Sequence, residues 1–169
     1  VASAATSTST VGIFADDLRP TEAASGGSRA VELGVRFSPQ KAGVVAALQY
    51  YQGRSAKGVT EATLWSSRGA QLAHVEFSST TTEGWRTLSL SQPVRLQADS
   101  TYTVSYSAPQ GRYPVVKHDL TSKRVQNGFA LERGAGVYRY GDGRFPSRSA
   151  SGTNFLVDIV YQPDGATTA

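Results

Sequence analysis

Apolar residues alternate with polar or small ones along Val31-Glu32-Leu33-Gly34-Val35-Arg36-Phe37, the period of a half-buried β-strand. Comparable segments recur at 11–14, 30–38, 43–51, 60–66, 71–78, 85–90, 101–107, 113–118, 128–132, 136–140 and 154–161. Helical periodicity is nearly absent. Turn chemistry fills the gaps, as at Ser25-Gly26-Gly27-Ser28, Pro109-Gln110-Gly111, Asn127-Gly128 and Gly141-Asp142-Gly143. Many short strands at this spacing predict an all-β, jelly-roll-like domain, a two-sheet antiparallel β-sandwich.

Side chains two apart on a strand share a face, which sorts core from surface. Val31, Leu33, Val35 and Phe37 are expected inside, as are Val75 with Phe77, Leu88 with Leu90, and Tyr102 with Val104 and Tyr106. In the last segment Phe155, Val157, Ile159 and Tyr161 fill one face, while Leu156 and Val160 flank Asp158 on the other. Two covered faces predict a central strand. Adjacent Tyr50 and Tyr51 must point opposite ways, and so must Leu64 and Trp65.

A chain of 169 residues fits one domain with a core of its own. The absence of cysteine removes disulfides, zinc–thiolate sites and cysteine nucleophiles without fixing a compartment. Seventeen Lys and Arg against thirteen Asp and Glu give a net charge of +4 and a pI near 9.5. These bases are scattered singly, the pattern of solvated surface charge, and nucleic acid is not an expected partner. No apolar run approaches the ~20 residues that a membrane-spanning helix needs, so membrane insertion is not expected either. Residues 1–10 and 163–169 hold almost nothing to bury and read as flexible tails or linkers around a body at 11–162. That arrangement, with Val1 in place of an initiator Met, suggests a module cut from a longer polypeptide.

Candidate chemistry is sparse. Trp85 has the opposite parity to Leu88 and Leu90, so its indole either stacks on a sugar ring from an outer face or plugs the core end. The segment Tyr138-Arg139-Tyr140-Gly141-Asp142-Gly143-Arg144 combines aromatics, guanidinium groups and a carboxylate. With Tyr113 and His118 it forms a candidate saccharide or carboxylate pocket, although Asp142-Gly143 is also ordinary tight-turn chemistry. Glu32 and Asp158 interrupt apolar strands, and a buried carboxylate needs a partner, with Arg36, Arg139 and Lys117 available or a structural calcium ion. Apart from that calcium, no cofactor is expected.

Catalytic signatures are missing. His74 and His118 show no metal-binding spacing, and there is no Gly-x-Ser-x-Gly elbow or phosphate-cradling loop. A glycosidase needs two carboxyls across a cleft, which Glu32, Glu76, Asp142 or Asp158 would have to supply.

Several phrases, in order, carry a resemblance: Val31 to Phe37, Leu48-Gln49-Tyr50-Tyr51-Gln52-Gly53, Ala62-Thr63-Leu64-Trp65-Ser66 and Gly84-Trp85-Arg86. They continue as Thr101 to Tyr106 with Ala108-Pro109 and Gly111-Arg112-Tyr113, Gly136 to Gly141, and Asn154 to Tyr161. Over about residues 12 to 163 the chain resembles the bacterial family known as domain of unknown function 4082. It departs from the pattern at Phe155, where Trp is expected, and at Ser107, where His often stands. The resemblance implies a β-sandwich similar to carbohydrate-binding modules, serving as a non-catalytic accessory domain of a secreted or cell-surface bacterial protein. Its expected partners are a polysaccharide or cell-surface glycan and neighbouring modules of the same polypeptide. The alternatives are a structural spacer or oligomerising domain without a small ligand, and a glycoside hydrolase.

Overall fold

The computed structural model of the protein describes residues 7–8, 10–25, 27–54, 60–80, 82–141, 144–165 and 167–168. In chain order the strands are β1 (Ser7–Thr8), β2 (Glu22–Ser25), β3 (Val31–Pro39), β4 (Gly43–Gln52) and β5 (Thr60–Ser66). They continue as β6 (Gln71–Phe77), β7 (Gly84–Leu96), β8 (Tyr102–Ala108), β9 (Tyr113–Val115) and β10 (Arg124–Gln126). The last are β11 (Phe129–Leu131), β12 (Gly136–Tyr140), β13 (Arg148–Ser149), β14 (Val157–Pro163) and β15 (Thr167–Thr168). No helix occurs among the described residues.

Two antiparallel sheets pack as a sandwich. The larger runs β10-β11-β3-β8-β5-β6, with β12 also paired to β3 and carrying β13; the smaller runs β14-β4-β7. Alternation in the sequence becomes register here: Val31, Leu33 and Val35 pair with Ala108, Tyr106 and Val104, so one apolar face is shared across the ladder. Ala62 and Leu64 extend that face on β5. Leu48 and Tyr50 of β4, paired with Ile159 and Val157 of β14, close over it from the other layer. Aromatic rings join the layers, with Tyr50 stacked on Tyr106 at 5.0 Å between centroids and Phe129 tilted against Tyr161 at 5.4 Å.

The outer faces are partly roofed. Trp65 lies on the outer side of the large sheet, stacked on Phe145 at 5.6 Å and donating its Nε1–H to Ser105 Oγ. Gly34 permits this roof, because a Cβ there would meet Val104 O, Ser105 and the Pro146 ring. On the smaller sheet Tyr51 and Trp85 pair across β4 and β7 and meet edge to face at 5.8 Å.

Several expectations change. β14 is an edge strand, not a central one: β4 pairs with one margin, and among the described residues the other receives only the bridge from Val11 to Tyr161. Its outer face is nevertheless covered, because the backbone at Ile13 and Phe14 docks on Asp158. The strand also starts late, since Leu156 takes φ of 60° and its N–H is capped by Asn154 Oδ1. Leu88 has the inward parity expected of it but is 38% exposed, because β7 is the free margin of a narrow sheet. That edge position also lets β7 run through Pro93 to Leu96, well past the expected 85–90 segment. The 11–14 segment contributes one bridge and no strand, and β9 stops before His118, whose φ is 59°. Within the stretches read as connectors, β1 pairs antiparallel with β15.

Candidate functional site

Three of the tyrosines picked out from the sequence meet at one margin of the sandwich. Tyr138 and Tyr140 stand opposite Leu33 and Val31, and therefore project from β12 toward the inner side of the large sheet. β12 lies on the far side of β3 from β8. Tyr113 of β9 and Phe155, just before β14, supply cover there, the two rings meeting edge to face at 5.6 Å. Between them opens a cleft of about 160 Å³, lined by Tyr113, Lys117, Tyr138, Tyr140, Thr153 and Phe155, with Val115 and Ala150 at its base.

Its walls are graded from dry to wet. Phe155 is buried, Tyr113 and Tyr138 are half-buried, and Tyr140 is 49% exposed. Tyr138 and Tyr140 contact each other edge to face at 5.8 Å, and the Arg29 guanidinium sits 4.2 Å from the Tyr140 ring centroid, holding that ring in place by a cation–π contact. Burial pushes the Tyr113 hydroxyl above the ordinary tyrosine range, and the nearby Tyr140, Tyr138 and Glu22 push it further. Tyr113 is therefore a neutral O–H donor and acceptor at physiological pH. At the rim Lys117 Nζ contacts Glu22 Oε2 at 2.7 Å, an ion pair made possible by the pairing of β2 with β9.

This arrangement offers aromatic faces for the C–H side of a sugar ring, with hydroxyl, ammonium and carboxylate groups at its edge. No Asp or Glu occurs among the described residues that line it.

The other sequence candidates are placed elsewhere. Arg139 is exposed on the opposite side of β12, across from Glu32 in register. His118 is exposed in the turn after β9 and does not line the cleft. Asp142 lies outside the described residues. Trp85 does occupy an outer face, but its indole N–H is spent on Leu18 O at 3.0 Å and its ring packs on Tyr51.

Glu32 and Asp158 are both fully buried, on different sheets. Ser105 and Ser107 donate hydroxyls to Glu32, while Ile13, Phe14 and Ile159 donate backbone N–H groups to Asp158. Such donor sets suit carboxyl oxygens and oppose a cation, so a calcium ion, the alternative to a basic partner, does not fit these two residues. Among the described residues no group of three or more His, Cys, Asp or Glu could hold a metal ion. Of the basic partners considered for the two carboxylates, Lys117 is instead engaged by Glu22.

Sequence reasoning missed Lys117 and Phe155 as cleft residues. Phe155 is a core residue, as its parity predicts, and the edge of its ring also forms part of the cleft wall beside Tyr113. Ser107, the second departure from the family pattern, belongs to the Glu32 network and not to the cleft.

No curated protein sequence gives a match to the chain. A family model, described as a domain of unknown function, DUF4082, matches residues 17–157, a span that includes every residue of the tyrosine cleft. The chain belongs to the domain of unknown function 4082 family.

Proposed function

We propose that this domain is a non-catalytic module that binds a carbohydrate or cell-surface polymer in the cleft formed by Tyr113, Tyr138 and Tyr140. The observation that carries the reading is the convergence of three tyrosines from two separate segments, one of them half exposed, on a recess of about 160 Å³. That space is below the range of drug-sized pockets and suits one sugar ring resting on an aromatic wall. Binding without turnover is favoured because the described lining brings no pair of carboxyls to the scissile position that glycoside hydrolysis uses. As an accessory domain of a larger secreted bacterial protein, such a module raises the local concentration of its neighbours at a polymer surface.

Pull-down on chitin, cellulose, α- and β-glucans, pectin, dextran and peptidoglycan tests the reading. At least one polymer retains the domain, and Tyr140→Ala weakens retention about tenfold without lowering the melting temperature. Absence of retention on every polymer at high protein concentration refutes it.

A further inference from the structure

β3 is paired on one margin by two different strands, β12 along Val31–Val35 and β11 at Ser38–Pro39. Where one partner hands over to the other, the connection through Glu132–Ala135 leaves the ladder, held at Arg36 by a backbone N–H donated to Ala135 O at 2.9 Å. The break opens a cavity of about 370 Å³ whose polar lining is Arg36, Ser38, Thr101, Glu132 and Arg133. Arg36 and Arg133 are both exposed, and among the described residues neither is in an ion pair. Glu132, the only carboxylate among the described residues that line the cavity, lies 3.6 Å from Lys123 Nζ. The lining thus sets two guanidinium groups against one carboxylate, beside hydroxyls of Ser38 and Thr101 that are 3.1 Å apart.

This cavity shares Arg133 with a polar hollow bordered by the turn at 150–153, and other residues of that turn line the tyrosine cleft. Arg133 also lines a polar hollow of about 320 Å³ together with Thr121, Ser149 and Ser151. The turn at 150–153 then contributes Ser151 and Gly152 to that hollow, and Ala150 and Thr153 to the cleft.

We propose that the three recesses are successive subsites for one acidic polysaccharide, with a sugar ring in the tyrosine cleft and a carboxylate or sulfate of a residue further along held by Arg36 and Arg133. The inference rests on the glycan reading of the cleft and adds the ligand's charge. Guanidinium groups present planar donor forks that match a carboxylate or a sulfate edge, and they remain charged at every physiological pH.

The test compares polymers that differ only in charge: polygalacturonate against its methyl-esterified form, and dextran sulfate against dextran. The first pair reports a carboxylate, the second a sulfate. In at least one pair the charged polymer binds about tenfold more tightly at low salt, and Arg36→Gln or Arg133→Gln abolishes that preference by weakening the charged polymer about tenfold. Tyr140→Ala weakens both members of that pair. Equal affinity for both members of each pair overturns the acidic subsite and leaves the cleft reading standing. An equal loss with Arg68→Gln, an exposed arginine outside these recesses, shows diffuse attraction and also overturns it. Arginine effects with no effect of Tyr140→Ala overturn the shared groove and the cleft reading together.

Discussion

Asp158 accepts a 2.7 Å hydrogen bond from the backbone N–H of Ile13, a residue 145 positions away in sequence. Phe14 N–H approaches the second oxygen of the same carboxyl at 3.1 Å, and Ile159 N–H approaches the first. One side chain thus fastens the entry segment across the outer face of β14, an edge strand whose apolar neighbours would otherwise face water. Gly12 makes the fit possible, because a Cβ there would press on Asp158 Oδ2.

Burial raises the Asp158 carboxyl from the usual 3.8 to about 7, against the opposing pull of three backbone N–H donors and Gln49. Between those two values the folded protein holds a proton that the unfolded chain has released. Its contribution to stability is therefore full below about pH 4 and is lost as pH rises through about 7. Chemical denaturation across this window shows wild-type stability falling by up to about 1.4 kcal/mol per pH unit. In Asp158→Asn the slope from this group disappears. An identical pH profile in the variant contradicts the assignment.

Ser105 links two buried groups, taking the Trp65 Nε1–H and giving its own hydroxyl hydrogen to Glu32. Ser107 makes only the second kind of contact. Ser105→Ala therefore destabilises more than Ser107→Ala, by about 2 against about 1 kcal/mol in urea unfolding, because it also orphans an indole N–H. Trp65 fluorescence shifts in the first variant and stays put in the second.

Gly136 opens β12 where the turn carrying Thr153 crosses it, and a Cβ at this position would collide with the Thr153 carbonyl oxygen. Gly136→Ala forces strand and turn apart, costing about 1–3 kcal/mol of stability. Since both elements line the tyrosine cleft, glycan retention falls as well, even at temperatures where the variant remains folded.

Chelation supplies a further check. The donors around Glu32 and Asp158 already satisfy oxygens that calcium would need, so EDTA does not alter the melting temperature through these two residues. A drop on chelation that Glu32→Gln or Asp158→Asn abolishes would contradict this.

Much of the sandwich is legible in the sequence because a buried sheet face needs alternation, and apolar and polar or small residues alternate cleanly along β3 and β8. Parity also orients Tyr50, Tyr51, Leu64 and Trp65 without help from distant contacts. It does not say which strand ends at a margin: Leu88 points inward with no layer fully over it, and β14 has two covered faces for a reason that lies in residues 11–14. The short β2, β10 and β13 carry too few residues for a pattern. Tyr113, Tyr138 and Tyr140 stand out in the sequence by their types, whereas Phe155 and Lys117 join them in the cleft through pairings between remote segments that no local period records. Arg36 and Arg133 looked like isolated surface charges for the same reason.

The most direct test follows the aromatic ring resonances of the protein by NMR while fragments of the retained polymer are titrated in. The tyrosine cleft predicts that Tyr113, Tyr138 and Tyr140 shift together and saturably, while the buried Tyr50 and Tyr161 do not. Shifts centred on Trp85, or saturable binding that leaves those three rings unmoved, would contradict it.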